Sequence, residues 1–105
     1  MPARVQQIGT RRGGVAATLV GERGRRFTPQ AVTIRTREAL TIVNDDTRTH
    51  TVRIDDPRMT FSSEAQEPGD KVVLVFDRAG AFTAICGIHP DMRLDIVATD
   101  GTQQR

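Results

Sequence analysis

The sequence has one cysteine, no tryptophan and no tyrosine in 105 residues. A single thiol excludes an internal disulfide framework, a zinc ribbon and any iron–sulfur cluster held by several thiolates. Four phenylalanines are the whole aromatic set, too few for a platform on which bases stack, so nucleic acid is not expected as a partner. No run approaches the roughly 20 apolar residues of a membrane helix, and no membrane span is expected. No segment holds a 3.6-residue apolar period long enough for a helix, although Ser62–Glu67 has room for one turn. The opening Met1-Pro2-Ala3-Arg4 lacks the apolar stretch of an export signal. That is consistent with the cytoplasm, or with a mature portion restarted at Met1.

What is present suits one domain of ordinary size, expected over 1–105, with 1–14 a loosely packed N-terminal arm or first strand. The apolar share of 37%, with 9 glycines besides, argues against wholesale disorder. The net charge is only +2 but unevenly spread. Residues 1–37 hold eight arginines against Glu22 alone, whereas residues 38–105 hold six arginines and Lys71 against twelve acids. A basic end can meet an acidic partner, but with no basic helix it reads more simply as a bias toward arginine.

Turn signals recur at Gly13-Gly14, Gly21 to Gly24, Pro29, Asn44-Asp45-Asp46, Asp55-Asp56-Pro57, Pro68-Gly69-Asp70, Gly80, Gly87 and Pro90. Between them lie runs rich in Val, Ile, Thr, Leu and Phe: Val15–Val20, Ala31–Arg35, Ala39–Asn44, His50–Ile54, Lys71–Phe76, Ala81–Cys86 and Leu94–Ala98. Runs of this length and spacing predict an all-β sandwich or barrel. Side chains two apart share a face of a strand. Leu40, Ile42 and Asn44 therefore point together, as do His50, Val52 and Ile54, and Phe82, Ala84 and Cys86. The apolar members mark the inward face, so Asn44, His50 and Cys86 are expected inward, each at the end of its strand.

The segment Cys86-Gly87-Ile88-His89-Pro90-Asp91-Met92 has the spacing C-x2-H-x2-M, with Gly87 and Pro90 bending the chain after a strand. It brings a thiolate, an imidazole and a thioether together within seven residues. A fourth donor has to come from elsewhere, and the only other histidine is His50. Taken singly, a cysteine at a strand end is more often a small buried hydrophobe, and a methionine in a loop is packing. Taken jointly, one thiolate, two imidazoles and a weak axial thioether form the trigonal donor set of a blue-copper electron-transfer site. A single cysteine excludes a binuclear copper centre.

Here the chain resembles the small type 1 copper proteins, the cupredoxins, and is most similar to amicyanin, plastocyanin and pseudoazurin. The resemblance runs from about Phe27 to Ala98 through Phe27-Thr28-Pro29, Leu40-Thr41-Ile42-Val43-Asn44, His50-Thr51-Val52, Phe61-Ser62-Ser63, Pro68-Gly69-Asp70, Gly80-Ala81-Phe82 and the Cys86–Met92 loop. The short loop looks most like that of amicyanin. The resemblance implies an all-β, cupredoxin-like Greek-key sandwich of about seven to eight strands, and one copper ion held by His50, Cys86, His89 and Met92, with Asn44 tying the ligand loops together. It also implies periplasmic use. The chain departs from the pattern at Arg37-Glu38, where a glycine is usual, at Ala84, where an aromatic is common, and at Arg93-Leu94-Asp95, where a glycine usually follows the methionine.

The function expected is one-electron transfer between protein redox partners by a monomer that is not an enzyme, because both histidines are committed and no separate nucleophile–base pair remains. Ile88 and Pro90, flanking His89, form a possible apolar docking patch, and Arg23, Arg25 and Arg26 are candidates for orienting a partner. One alternative is a copper carrier or chaperone delivering the ion. Another is a metal-free β-sandwich that binds a partner through its basic end.

Overall fold

A computed structural model describes residues 3–6 and 17–100, and there is no helix among them. Ten strands run β1 (Ala3–Gln6), β2 (Ala17–Arg23), β3 (Arg26–Thr28), β4 (Ala31–Arg35), β5 (Ala39–Asn44), β6 (Arg53–Asp56), β7 (Met59–Ser62), β8 (Lys71–Phe76), β9 (Gly80–Ile85) and β10 (Arg93–Thr99). They form two five-stranded sheets, ordered β1-β8-β5-β2-β3 and β4-β10-β9-β6-β7. The pairs β2–β5 and β4–β10 are parallel and the others antiparallel. Of the sandwich and the barrel that turn spacing left open, the sandwich is the architecture observed.

The strand count exceeds the seven to eight expected because β3 and β7 are short returns of tight hairpins. At three and four residues they are too brief to show an alternating pattern. The turn from β2 to β3 has two central residues, Gly24 (φ 64°) and Arg25 (φ 62°), the backbone of a type I′ hairpin whose twist matches its strands. Arg37, where a glycine is usual in the resembled family, has φ 71°. The bend between β4 and β5 thus needs the left-handed conformation that glycine enters most cheaply, and arginine holds it at a cost of about 1–2 kcal/mol. The run His50–Ile54 is a strand only from Arg53, and His50 makes an isolated bridge with Gln66. That bridge occupies the stretch where one helical turn had room. Of the N-terminal arm 1–14, Ala3–Gln6 pairs with β8, and the remainder lies outside the described residues.

The core fills the space between the sheets. Val20, Phe27, Leu40, Ile42, Leu74 and Phe76 from the first sheet meet Ile54, Phe82, Ala84, Leu94 and Ile96 from the second, in a cluster that includes Cys86 and Met92. The Phe76 and Phe82 rings pack 4.9 Å apart at 45°. Each such side chain contributes about 1.5–3 kcal/mol on burial. At one end of this core β5 terminates in Asn44 and β9 in Ile85, and the segment 45–52 crosses from one sheet to the other.

Candidate metal centre

Cys86 is the first residue after β9, keeps the inward phase of Phe82 and Ala84, and is fully buried. Three hydrogen bonds close its loop: Cys86 N–H donates to the Met92 carbonyl (3.2 Å), Met92 N–H to the His89 carbonyl (2.9 Å), and Gly87 N–H to the Thr51 hydroxyl (2.8 Å). These bonds bring the half-buried His89 back so that its Nδ1 lies 4.0 Å from the Cys86 sulfur. From the opposite side, the buried His50 presents its own Nδ1 at 3.8 Å. The two rings are 5.7 Å apart and tilted at 55°. All three donor atoms fall within 4.8 Å of one another. Met92 is buried against the same core.

The spacing suits a metal ion. Metal–sulfur and metal–nitrogen bonds of about 2.0–2.3 Å, opened by trigonal to tetrahedral angles, separate sulfur from nitrogen by roughly 3.6–3.8 Å. The observed 3.8 and 4.0 Å are close to that separation without any rearrangement.

The surrounding groups prepare these donors. His50 Nε2 lies 3.0 Å from Asp46 Oδ2, which orients the ring and leaves Nδ1 toward the sulfur. Asp46 also accepts from the N–H groups of Thr47 (2.7 Å) and Gly24 (3.0 Å). The His50 hydrogen bond, then these two, hold its carboxyl well below the usual carboxylate range. For His50, burial works against the charged ring. The bonds to Asp46 and Cys86 and the charge of Glu22 outweigh it, so its pKa is raised. Burial likewise pushes the Cys86 thiol up, but the Thr51 N–H at 3.5 Å, His50 and the N–H groups of Ile88 and His89 prevail and bring it down to about 6. A thiol that low is a thiolate at neutral pH, the form that binds metals.

Asn44 is buried and its amide donates to the carbonyls of Arg48 (2.7 Å) and Gln66 (2.8 Å), while its oxygen accepts from Asp46 N–H (2.9 Å). It staples the loops on the His50 side. Contact with the Cys86 loop comes instead from Thr51. Gln66 continues the staple by donating to the carbonyls of Ile42 and Asp70, each at 3.2 Å. Of the proposed docking residues, Ile88 is half exposed at 50% and Pro90 is exposed beside it.

Solved structures supply the comparison that decides the fold. A reduced amicyanin variant with one substituted proline superposes with a TM-score of 0.81, covering 93% of this chain and 99% of that one at 16% identity. The fold is that of the cupredoxins. A reduced Cu(I) amicyanin variant studied at pH 4 matches equally well, with TM-score 0.81, 16% identity and the same coverage of 93% and 99%. An oxidised variant aligns at TM-score 0.74 and 19% identity over 78% of this chain and 81% of that one. No family model matches the sequence, and no curated protein matches it either. At this level of sequence identity the likeness is one of architecture alone.

Sequence reasoning missed Asp46, Thr51, Gln66 and Glu22. Asp46 and Thr51 flank His50 in the chain and carry no motif of their own. Glu22 did have a signal, since it shares the inward phase of Val20 along β2.

Proposed function

We propose that this chain is a one-electron carrier built on a mononuclear type 1 copper site, with His50, Cys86, His89 and Met92 as ligands. The observation that carries the reading is the buried Cys86 sulfur set between two imidazole Nδ1 atoms at 3.8 and 4.0 Å. Copper in such a donor set supplies a Cu(II)/Cu(I) couple. The chain's part is to hold the donors still. Asp46 fixes the His50 ring, Thr51 and the backbone N–H groups keep Cys86 anionic, and the core excludes water from the sulfur. Rigid donors mean little reorganisation when one electron passes.

His89 is the half-buried ligand, so its ring edge is the exit for the electron, with Ile88 and Pro90 as the apolar rim against a redox protein. The solved structures of reduced and oxidised amicyanin support a role in electron transport by likeness of fold. We also infer periplasmic use from that likeness, and a carrier's role in place of an enzyme's. No helix among the described residues is long and apolar enough to cross a membrane.

Copper titration of the purified protein tests this. One equivalent should produce an intense visible thiolate-to-copper band that ascorbate bleaches and re-oxidation restores. The Cys86→Ser variant should have no such band. A band that survives in Cys86→Ser, or its absence from the native protein, refutes the assignment.

A further inference from the structure

Glu22 is the one buried acid in the molecule's described core, and it lies outside the proposed ligand set. It sits one residue before the end of β2, in register with Asn44 of β5 and Phe27 of β3. Its side chain has no solvent exposure, and neither carboxyl oxygen has a hydrogen-bond partner. Buried carboxylates ordinarily carry partners, because stripping water from a charge is costly. The groups that act on it through space are His50, Cys86 and Asp46, the buried edge of the candidate metal centre. No hydrogen bond or ion pair joins it to any of them. From β5 it is faced by the neutral Asn44, whose amide is already engaged, and from β3 by Phe27. The arginines of the adjoining turn, Arg23, Arg25 and Arg26, are exposed, and Arg23 donates to the Asp45 carbonyl.

We propose that Glu22 is a redox-linked proton site, which binds one proton when the copper centre gains an electron and releases it when the electron leaves. The inference rests on the copper reading above. In the balanced step, one electron from a donor protein converts Cu(II) to Cu(I), and one proton from bulk water converts the Glu22 carboxylate to the acid. Oxidation by an acceptor protein reverses both. The sign follows from charge. Reduction removes one positive charge from the region that Glu22 senses, so the anion is less favoured and the proton is held more tightly.

Two further facts place this exchange in a useful range. Burial, the largest influence, pushes the Glu22 carboxyl up to about 7; His50 opposes this, while Cys86 and Asp46 add to it. Without an arginine or lysine bound to it, the carboxyl has no fixed cation to hold it charged in both redox states.

Voltammetry of the copper-loaded protein across the acid-to-alkaline range, beside Glu22→Gln, tests the proposal. Glutamine has the shape of the protonated acid and can fill the same space. Expected for the native protein is a potential that is higher at acid pH, falls through neutrality and levels off. One unit of charge acting through the interior changes proton affinity by about tenfold, equivalent to about 59 mV between the two plateaus of a one-electron couple. Glu22→Gln should stay at the upper plateau throughout. Infrared difference spectra should show a carboxylic-acid band that appears on reduction of the native protein and is missing from the variant. A potential that stays flat in a blue native protein, or the same fall in Glu22→Gln, overturns the linkage alone. Absence of the blue band from both proteins overturns the copper reading and the linkage with it.

Discussion

Replacing Glu22 with glutamine should stabilise the metal-free protein at neutral and alkaline pH while leaving it nearly unchanged in acid. The carboxyl has an ordinary value of 4.5 and is raised to about 7 in the folded chain. Between those values the folded state binds a proton that the unfolded state has lost. Stability is therefore complete below about 4.5 and declines as pH rises, until the full difference has been lost above about 7. Each pH unit of that interval is worth about 1.4 kcal/mol, so the carboxylate costs about 3 kcal/mol at alkaline pH. Glutamine does not titrate and escapes this cost.

The assay is urea unfolding of native and Glu22→Gln proteins, stripped of metal, at a series of pH values. His50, Cys86 and Asp46 titrate in both proteins; because each is coupled to Glu22, the measured difference includes that coupling as well as the Glu22 carboxyl itself. With a urea slope of about 1–3 kcal/mol/M for a small protein, the midpoints should separate by about 1–3 M at alkaline pH and converge in acid. A separation that does not change with pH refutes the reasoning. So does a native protein that is the more stable of the two at alkaline pH.

Met92→Leu should remain blue and shift its reduction potential upward, because loss of an electron-pair donor would destabilise the more highly charged Cu(II) more than Cu(I); a colourless protein or a lowered potential removes Met92 from the ligand set. Thr51→Val keeps the backbone N–H that reaches the Cys86 sulfur but removes the hydroxyl bound to Gly87 N–H. It should cost about 1 kcal/mol of stability and leave the pH at which thiolate absorbance develops in the metal-free protein nearly unchanged, because the N–H that lowers it is kept. A thiol titration that moves markedly upward refutes the assignment of that lowering to the Thr51 N–H.

Much of the site was legible because strand geometry is periodic. Leu40-x-Ile42-x-Asn44 and Phe82-x-Ala84-x-Cys86 each place a polar or reactive group on a phase that their apolar neighbours mark as inward, and all six residues are buried. The approach of Cys86 and His89 was legible because the two residues are close in the chain. His50 was read correctly as inward but wrongly as part of a continuous strand, since a bridge to Gln66 uses a partner 16 positions away that no local pattern specifies. Asp46 and Thr51 escaped notice for a related reason. Their importance lies in what they meet across the fold, at Gly24 and at Gly87, and those meetings exist only once strands distant in the chain have come together. Arg37 shows the limit from another side: a left-handed bend occupied by arginine carries no glycine to announce it.

The crossing of segment 45–52 between the sheets has a consequence for the order of assembly. Cys86, His89 and Met92 all belong to the loop between β9 and β10 of the second sheet, whereas His50 arrives on the chain leaving β5 of the first. A half-assembled molecule with only its second sheet formed offers an ion a loose three-donor loop, and the fourth donor comes into place when the sheets dock. On the proposed ligand set, tight capture of copper is thus a late event that certifies a completed sandwich. An ion held by that set would act as a rivet, so that sliding one sheet past the other would first require breaking a metal–ligand bond.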